Sequence, residues 1–271
     1  MYTQEVYTEV NGEKGPWVYE SPAITMTVTR KRYRERANRA YTVADVLCRD
    51  GELFYSAAAK DDPSFRSYEM PAKIARRNSA VLGFTGDFLM HMSNRKGVMI
   101  RGGKVFFDTD ACDTLAMHPD GELAVYPEGS VTAQQLLDSG VRDTWAFGPI
   151  LIKDGEPYEP ALTHFLSGNN RRCAVGMAER GHYIIIATNG YFTNEEMQSL
   201  FLEYGVSLAY SMDGGHSATL ILMGEQLNAH SMHETMRVYQ RPLGDMVLLG
   251  SSSLVPSIED PVRYWNVYLE E

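Results

Sequence analysis

The sequence predicts an α+β domain: twisted, largely antiparallel or mixed β-sheets packed with a few helices. Three observations carry this. Apolar and hydroxyl-bearing residues alternate with period two over residues 23–29, the pattern of a strand with one buried face. Glycine turns at Asp50-Gly51, Gly102-Gly103, Pro119-Asp120-Gly121 and Asp213-Gly214 separate short apolar runs along the chain, as hairpin connections do. Helical spacing with start and stop signals is confined to short stretches.

Taken in order, residues 1–22 carry Gly12, Gly15, Pro16 and Pro22 around one apolar anchor, Trp17-Val18-Tyr19. They read as an extended lead-in without helix that drapes over the domain. The domain proper is expected over 23–250, with 251–271 as a C-terminal tail. After the strand at 23–29, the basic run 30–36 is either a phosphate-reading patch or solvated charge beside a sheet edge, the second being the more ordinary outcome. Residues 41–47 and 53–57 read as strands. Pro71 in a first helical turn, with Ala72, Ile74 and Ala75 among Lys73, Arg76 and Arg77, predicts a short amphipathic helix over 70–78. It leads into an apolar strand over 80–89 that contains Gly83 and Gly86 and reaches Asp87. A Gly-Asp pair at a buried strand end is either a capped bulge or a place where backbone meets ligand beside a carboxylate.

Hairpins are expected over 97–107, with Arg101 just before the Gly102-Gly103 turn, and over 115–126. Thr132 as N-cap, Gln135 three residues on and Gly140 as a stop define a helix. Residues 145–155 read as a strand interrupted at Gly148-Pro149. Residues 171–177 and 183–190 pair as a hairpin whose second strand is apolar enough to be central. Thr193 caps an amphipathic helix that Gly205 stops, and this delivers the chain to a buried strand over 208–212.

The stretch 210–219 concentrates a carboxylate, two glycines, an imidazole and two hydroxyls. Asp213-Gly214-Gly215 between apolar runs is a plain hairpin turn on turn chemistry alone. A hairpin, however, needs no imidazole or hydroxyl after its glycines, and His216, Ser217 and Thr219 stand there. That continuation points to a turn that holds a ligand, with bare glycine backbone approaching it closely.

Composition limits the alternatives. With 271 residues, 44% hydrophobic and 22% charged, the chain can bury a full core as one large domain or two small ones. A formal charge of −10 argues against a nucleic-acid partner, which needs clustered Lys and Arg. Cys48, Cys112 and Cys173 are too few and too scattered for a disulfide framework or a zinc site. The fourteen methionines read as adaptable core filling. No 18-residue apolar run occurs and the first residues lack the basic and apolar segments of a leader, so the chain as it stands is expected to be soluble, without a membrane segment.

The order of several pieces carries a resemblance. Gly86-Asp87-Phe88, residues 97–104 with Arg101, Phe147-Gly148-Pro149, Arg172 to Gly176, the strand ending at Gly190, Met212 to Ser217, and Gly224 to Asn228 together resemble the phosphodiester glycosidase family. That family includes the enzyme that uncovers mannose 6-phosphate on lysosomal proteins and bacterial relatives linked to exopolysaccharide metabolism. The resemblance runs from about residue 24 to residue 249 and includes the closing segment 241–245. It implies hydrolysis of a sugar-1-phosphodiester, N-acetylglucosamine-1-phosphodiester-like, with the phosphate left on its acceptor. Since a phosphodiester is a good leaving group, neutralising its charge matters more than protonating it.

The residue roles implied by the resemblance are expectations. Arg172 is the candidate phosphate clamp and Arg101 a second. Asp213 and Asp87 face the anomeric carbon or hold a divalent cation such as calcium, and the Gly214 and Gly215 amides bind a phosphate oxygen. His216 is structural or substrate-contacting, Ser217 and Thr219 are polar contacts, and Asn228 fixes a sugar hydroxyl. Asp87, Arg172 and Asp213 are expected in one pocket. The family works outside the cytoplasm, so a secreted or cell-envelope location is implied, with the targeting segment absent from this chain; a cytoplasmic location is the alternative.

Two departures bear on substrate. Thr85-Gly86-Asp87 stands where family members usually have Asn-Gly-Asp or Asn-Gly-Gly, and Asn189-Gly190-Tyr191 where they usually have Asp-Gly-Arg. Asn189 beside Tyr191 suits stacking on a sugar ring. The lost charge pair also admits a non-catalytic glycan-phosphate binding protein of the same fold. His230 and His233, with Glu234 following, are three apart as on a helix face but lack a third ligand at useful spacing, and read as a surface loop.

Overall fold

Apolar runs without alternation mark strands buried on both faces, and two such strands set the layers of this protein. The computed structural model describes residues 5–34, 36–88, 97–228 and 240–264. The first run belongs to a nine-stranded sheet in the order β1 (Val6–Glu9), β2 (Trp17–Glu20), β3 (Ile24–Tyr33), β4 (Arg36–Cys48), β15 (His182–Thr188), β14 (Cys173–Glu179), β16 (Leu208–Met212), β12 (Ile150–Lys153), β13 (Glu156–Pro157). The second belongs to a five-stranded sheet, β18 (Glu225–Gln226), β17 (Leu220–Leu222), β6 (Ala80–Thr85), β19 (Asp245–Ser251), β5 (Phe54–Ala58). Their ladders are antiparallel.

On β15, Ile185 and Ala187 join Phe84, Leu220, Val247 and Leu249 of the smaller sheet in the main core. The intervening Ile184 and Ile186 pack with Met197, Leu200 and Phe201 of helix α4 (Asn194–Glu203) on the outer side. On β19, Met246 and Leu248 turn outward onto Ile74 and Ala75 of helix α1 (Pro71–Arg77). The result is helix, sheet, sheet, helix, each strand residue buried by one neighbour or the other at roughly 1.5–3 kcal/mol per large aliphatic side chain. Both helices start where the sequence places them: Pro71 at the first turn of α1, and a Thr193–Glu196 capping box on α4. A second box, Thr132 with Gln135, starts α2 (Ala133–Asp138).

The small pieces are β7 (Met99–Arg101) paired with β8 (Lys104–Phe107), and β9 (Thr114–Met117) paired with β10 (Leu123–Tyr126) and β11 (Asp143–Trp145). Both expected hairpins are therefore present. A short helix, α3 (Pro160–Thr163), lacks the length to leave a periodic signal.

Four local readings change. The lead-in is extended, but its strands β1 and β2 pair into the large sheet, and Trp17 is fully buried. The basic run does lie at an edge, since β2 pairs with β3 only over residues 25–28 and residues 30–33 pair with β4 alone, but its first arginine is not solvated charge. Arg30 continues the inward register of Ile24, Met26 and Val28, lies 5.3 Å over the Trp17 ring and donates to the Leu227 carbonyl, its aliphatic stem covering the sheet. Residues 145–155 split at Gly148-Pro149 into β11 and β12, which belong to different sheets. The Asp213 turn is not a hairpin: β16 lies in the large sheet and β17 in the small one, so the turn crosses between layers. The tail runs back along α1, where Arg76 donates to the carbonyls of Ser257, Asp260 and Pro261.

Candidate active site

Antiparallel pairing brings strand ends of opposite sense to one edge of the sandwich. Cys173 opposes both Met212 and Ala187, so the start of β14 lies between the ends of β16 and β15. Leu220 opposes Phe84, and Met246 opposes Thr85, so β17 and β19 begin where β6 ends. The layers are stitched there: Asp213 N–H donates to the Gly86 carbonyl at 3.2 Å. A cleft of about 390 Å³ opens on this edge, lined among others by Asp213, His216, Arg171, Arg172, Tyr191 and Arg241.

Asp213 is the carboxylate of that lining, 6% exposed. Burial pushes its carboxyl up to about 7; the Ser217 hydroxyl, the Arg241 charge and the Gly214 amide act against the rise, and the Asp87 charge adds to it. It therefore stands near half-protonation at neutral pH, where a carboxyl can both take and give a proton. Arg172 lines the same cleft. Its Nε donates to the Phe192 carbonyl at 3.0 Å, and its Nη2 to the carbonyls of Leu166, at 2.6 Å, and Gly168. Nη1 is left over by these bonds, and among the described residues no carboxylate pairs with the group, whose burial lowers it to about 10. A fixed, poorly solvated guanidinium of this kind is made for an anion.

Asp87 lies behind the cleft, with a side chain at 0% exposure. Its Oδ2 accepts from Arg101 Nη2 at 2.7 Å and its Oδ1 from Ala146 N–H at 3.0 Å. The same Nη2 donates to Asp245 Oδ2 at 2.8 Å, and Asp245 Oδ1 accepts from Asp87 N–H at 3.0 Å. One cation thus serves two buried carboxylates. Burial raises both, Asp245 to about 6, while the carboxylates outweigh burial and hold Arg101 above its ordinary value. A Cβ on Gly86 would fall 2.6 Å from Asp245 Oδ1, so only glycine lets this carboxylate reach the Asp87 amide.

Several expected substrate contacts are internal. Arg101, 4% exposed, is committed to the carboxylate pair and is no phosphate clamp. Thr85 is a staple, its hydroxyl donating to the Ser217 carbonyl at 2.6 Å and accepting from Thr219 N–H at 2.9 Å. Thr219 is fully buried beside it. Asn228, also fully buried, closes the start of β17 through Leu220 N–H and the Ala218 carbonyl, so it cannot reach a sugar. Ser217 is buried against Asp213. The Gly215 amide donates to the Arg171 carbonyl at 2.9 Å and the Gly214 amide to the Asp213 carboxylate, so neither is open to a phosphate oxygen. Asn189 does not line the cleft; its amide N–H donates to the Ala40 carbonyl at 2.9 Å. His216 is exposed in the lining, lowered by burial and by the charges of Arg171 and Arg241.

The cleft also contains residues that sequence reasoning missed. Arg171, Arg241, Phe88, Phe147 and Phe165 line it, and Phe165 and Tyr191 stand 66% and 57% exposed at its mouth. Arg241 opens the closing segment of the resemblance and so lay within a legible motif, and Arg171 stands immediately before one. Asp87, with Oδ2 on Arg101 and Oδ1 on the Ala146 amide, does not line the cleft beside Asp213. Among the described residues no group of three His, Cys, Asp or Glu side chains could hold a metal ion. No helix among them is long and apolar enough to cross a membrane. The segment with His230, His233 and Glu234 lies outside the described residues.

Comparison with known proteins places this geometry. A family model described as phosphodiester glycosidase matches residues 78–249. The SPbeta prophage-derived uncharacterized protein YomE of Bacillus subtilis (strain 168) is 28% identical over 173 residues, covering 59% of this chain and 27% of that protein. The chain thus matches about a quarter of that relative's length. The zebrafish N-acetylglucosamine-1-phosphodiester alpha-N-acetylglucosaminidase catalytic domain, auto-inhibited by pro-peptide, aligns with a TM-score of 0.71 at 15% identity, over 93% of this chain and 89% of that one. A hypothetical protein from Synechocystis aligns at 0.52 and 13% identity, over 90% and 68%. The structural likenesses show a shared fold, and the family match spans the β6 end, Arg172 and the Asp213 crossover alike: this chain belongs to the phosphodiester glycosidase family.

Proposed function

We propose that this chain hydrolyses a sugar-1-phosphodiester, of the N-acetylglucosamine-1-phosphodiester type named for the zebrafish enzyme, releasing free sugar and leaving the phosphate on its acceptor. The supporting observation is the pairing, in one cleft, of a carboxyl that titrates near neutrality with a guanidinium that has no carboxylate partner. In this reading Asp213, ionised, takes a proton from water as its oxygen bonds to the anomeric carbon. The carbon–oxygen bond breaks, its electron pair goes to the phosphate, and Arg172 meets the charge gained there. A phosphate monoester with a second pKa near 6 leaves without a proton donor, which suits a cleft lined, among the described residues, by a single carboxylate. Bacterial envelope or exopolysaccharide glycans are the substrates we envisage, outside the cytoplasm.

The test is release of free sugar from an N-acetylglucosamine 1-phosphodiester, with and without chelator. Turnover supports the hydrolase; binding without turnover on any sugar phosphodiester establishes instead the glycan-phosphate binding protein that the neutral Asn189 and Tyr191 admit. Arg172→Lys should lower kcat/KM about 100-fold, because an ammonium cannot hold the loop carbonyls and a phosphate together. Tyr191→Ala should raise KM roughly 3- to 10-fold with kcat little changed, the loss of one aromatic face; an unchanged KM would remove Tyr191 from the sugar site.

A further inference from the structure

The crossover at 213–217 is tied on each flank to an arginine. Gly215 N–H donates to the Arg171 carbonyl at 2.9 Å, and Arg241 N–H donates to the His216 carbonyl at 3.4 Å. Both side chains stay with the cleft. Arg171 lies 5.6 Å from the Tyr191 ring centroid and Arg241 5.4 Å from that of Phe88, stacks that hold a guanidinium plane in place without satisfying its charge. Among the described residues neither forms an ion pair.

Among the described residues, three guanidiniums therefore face a cleft with one carboxyl, in a chain whose formal net charge is −10. A phosphodiester brings one negative charge. With Asp213 ionised, one guanidinium still lacks a counter-charge; with Asp213 neutral, two do. Arg172 lies at depth, 5% exposed, whereas Arg171 and Arg241 are half-buried and stand with exposed His216 nearer the solvent, where a group extending out of the cleft would meet them.

We infer that Arg171 and Arg241 select an acceptor carrying a second phosphate, so that the preferred substrate is a sugar-1-phosphodiester with at least two phosphates. Each planar fork can take two oxygens of that group, and the excess positive charge raises the local concentration of such a substrate. The inference rests on the phosphodiester reading and adds the class of acceptor.

The experiment uses three diesters of N-acetylglucosamine 1-phosphate, formed with glycerol, with glycerol phosphate and with glyceric acid. At low salt kcat/KM for the glycerol phosphate ester should exceed that for the glycerol ester about 10-fold, the gain shrinking as salt is added. In Arg171→Gln/Arg241→Gln the ratio should fall to about one, and in the double Lys variant it should recover in part. Ratios at one pH cancel the effect of Asp213 protonation on the chemical step, which the substrates share. A wild-type ratio near one, or a ratio unchanged by the Gln pair, overturns the inference; an equal gain from the carboxylate overturns the phosphate assignment. If wild type releases no sugar from any of them, the hydrolase reading fails, and calorimetric titration with the same compounds reads the ratio as Kd.

Discussion

Asp213→Asn is expected to lower kcat/KM for sugar release at least 10³-fold and, in the same protein, to raise the melting temperature at pH 8. The first effect comes from removing the one carboxylate that lines the cleft among the described residues, since an amide neither accepts a proton from water nor faces a cationic centre with charge. The second comes from linkage. The Asp213 carboxyl titrates near 7 in the folded chain and near 3.9 when unfolded, so between those values the folded state binds more protons. Stability therefore falls as pH rises from about 4 through 7, and above 7 the ionised, buried carboxylate costs up to about 4 kcal/mol. Asparagine carries no such cost. The stability difference between the variants should vanish near pH 4 and be fully developed by pH 8, in thermal melts at a series of pH values. A variant that loses activity without that pH-dependent gain would mean that Asp213 is not held near neutrality.

The same titration sets the rate profile. If the ionised form takes the proton of water, kcat/KM rises with pH about a midpoint near 7. Dependence of the opposite sign would make Asp213 the acid and move the chemistry to the leaving oxygen.

How far the sequence reveals this site depends on the range of the interaction concerned. Period-two alternation and capping boxes are local, so β3, α2 and α4 were legible with their caps. The crossover was not, because strand, Asp-Gly turn and strand read alike whether the strands pair with each other or enter separate sheets. Pairing with β14 and β6 decides it, and both partners lie far off in sequence. Thr85, Thr219 and Asn228 illustrate the converse error. Polar residues beside a functional turn look like ligand contacts, yet at this junction two layers end together and their free backbone groups need side-chain partners; Thr85 and Asn228 supply them, and Thr219 is buried there with its own N–H held by Thr85. Asp213 itself was legible because a plain hairpin has no use for the imidazole and hydroxyls of His216, Ser217 and Thr219. The Arg101 arrangement was not, since its third member stands 144 residues away.

That third member supplies the other large effect. Arg101→Met should destabilise the fold by roughly 3–5 kcal/mol at neutral pH, because it leaves Asp87 and Asp245 buried without a cation, whereas Asp245→Asn should be nearly neutral or stabilising. The asymmetry comes from charge. One guanidinium compensates one carboxylate, so the pair is over-charged when both ionise; burial first, and the Asp87 charge after it, raise Asp245 to about 6 against the pull of Arg101. A raised carboxyl contributes most below its unfolded value; the penalty grows from about pH 4 to 6 and is complete above. Asp245→Asn removes that penalty, keeps the Asp87–Arg101 pair at 2.7 Å and can still accept the Asp87 amide. Denaturant melts at pH 5 and pH 8 would separate the two variants, with Arg101→Met below wild type and Asp245→Asn gaining more on wild type at pH 8 than at pH 5. Equal losses from the two substitutions would show that Asp245 contributes through its charge, and that the proton it is expected to hold is not there. Because Asp87 also raises Asp213, Asp87→Asn should move the midpoint of the rate profile below 7 without contact with substrate, which ties the buried arrangement to the chemistry of the cleft in front of it.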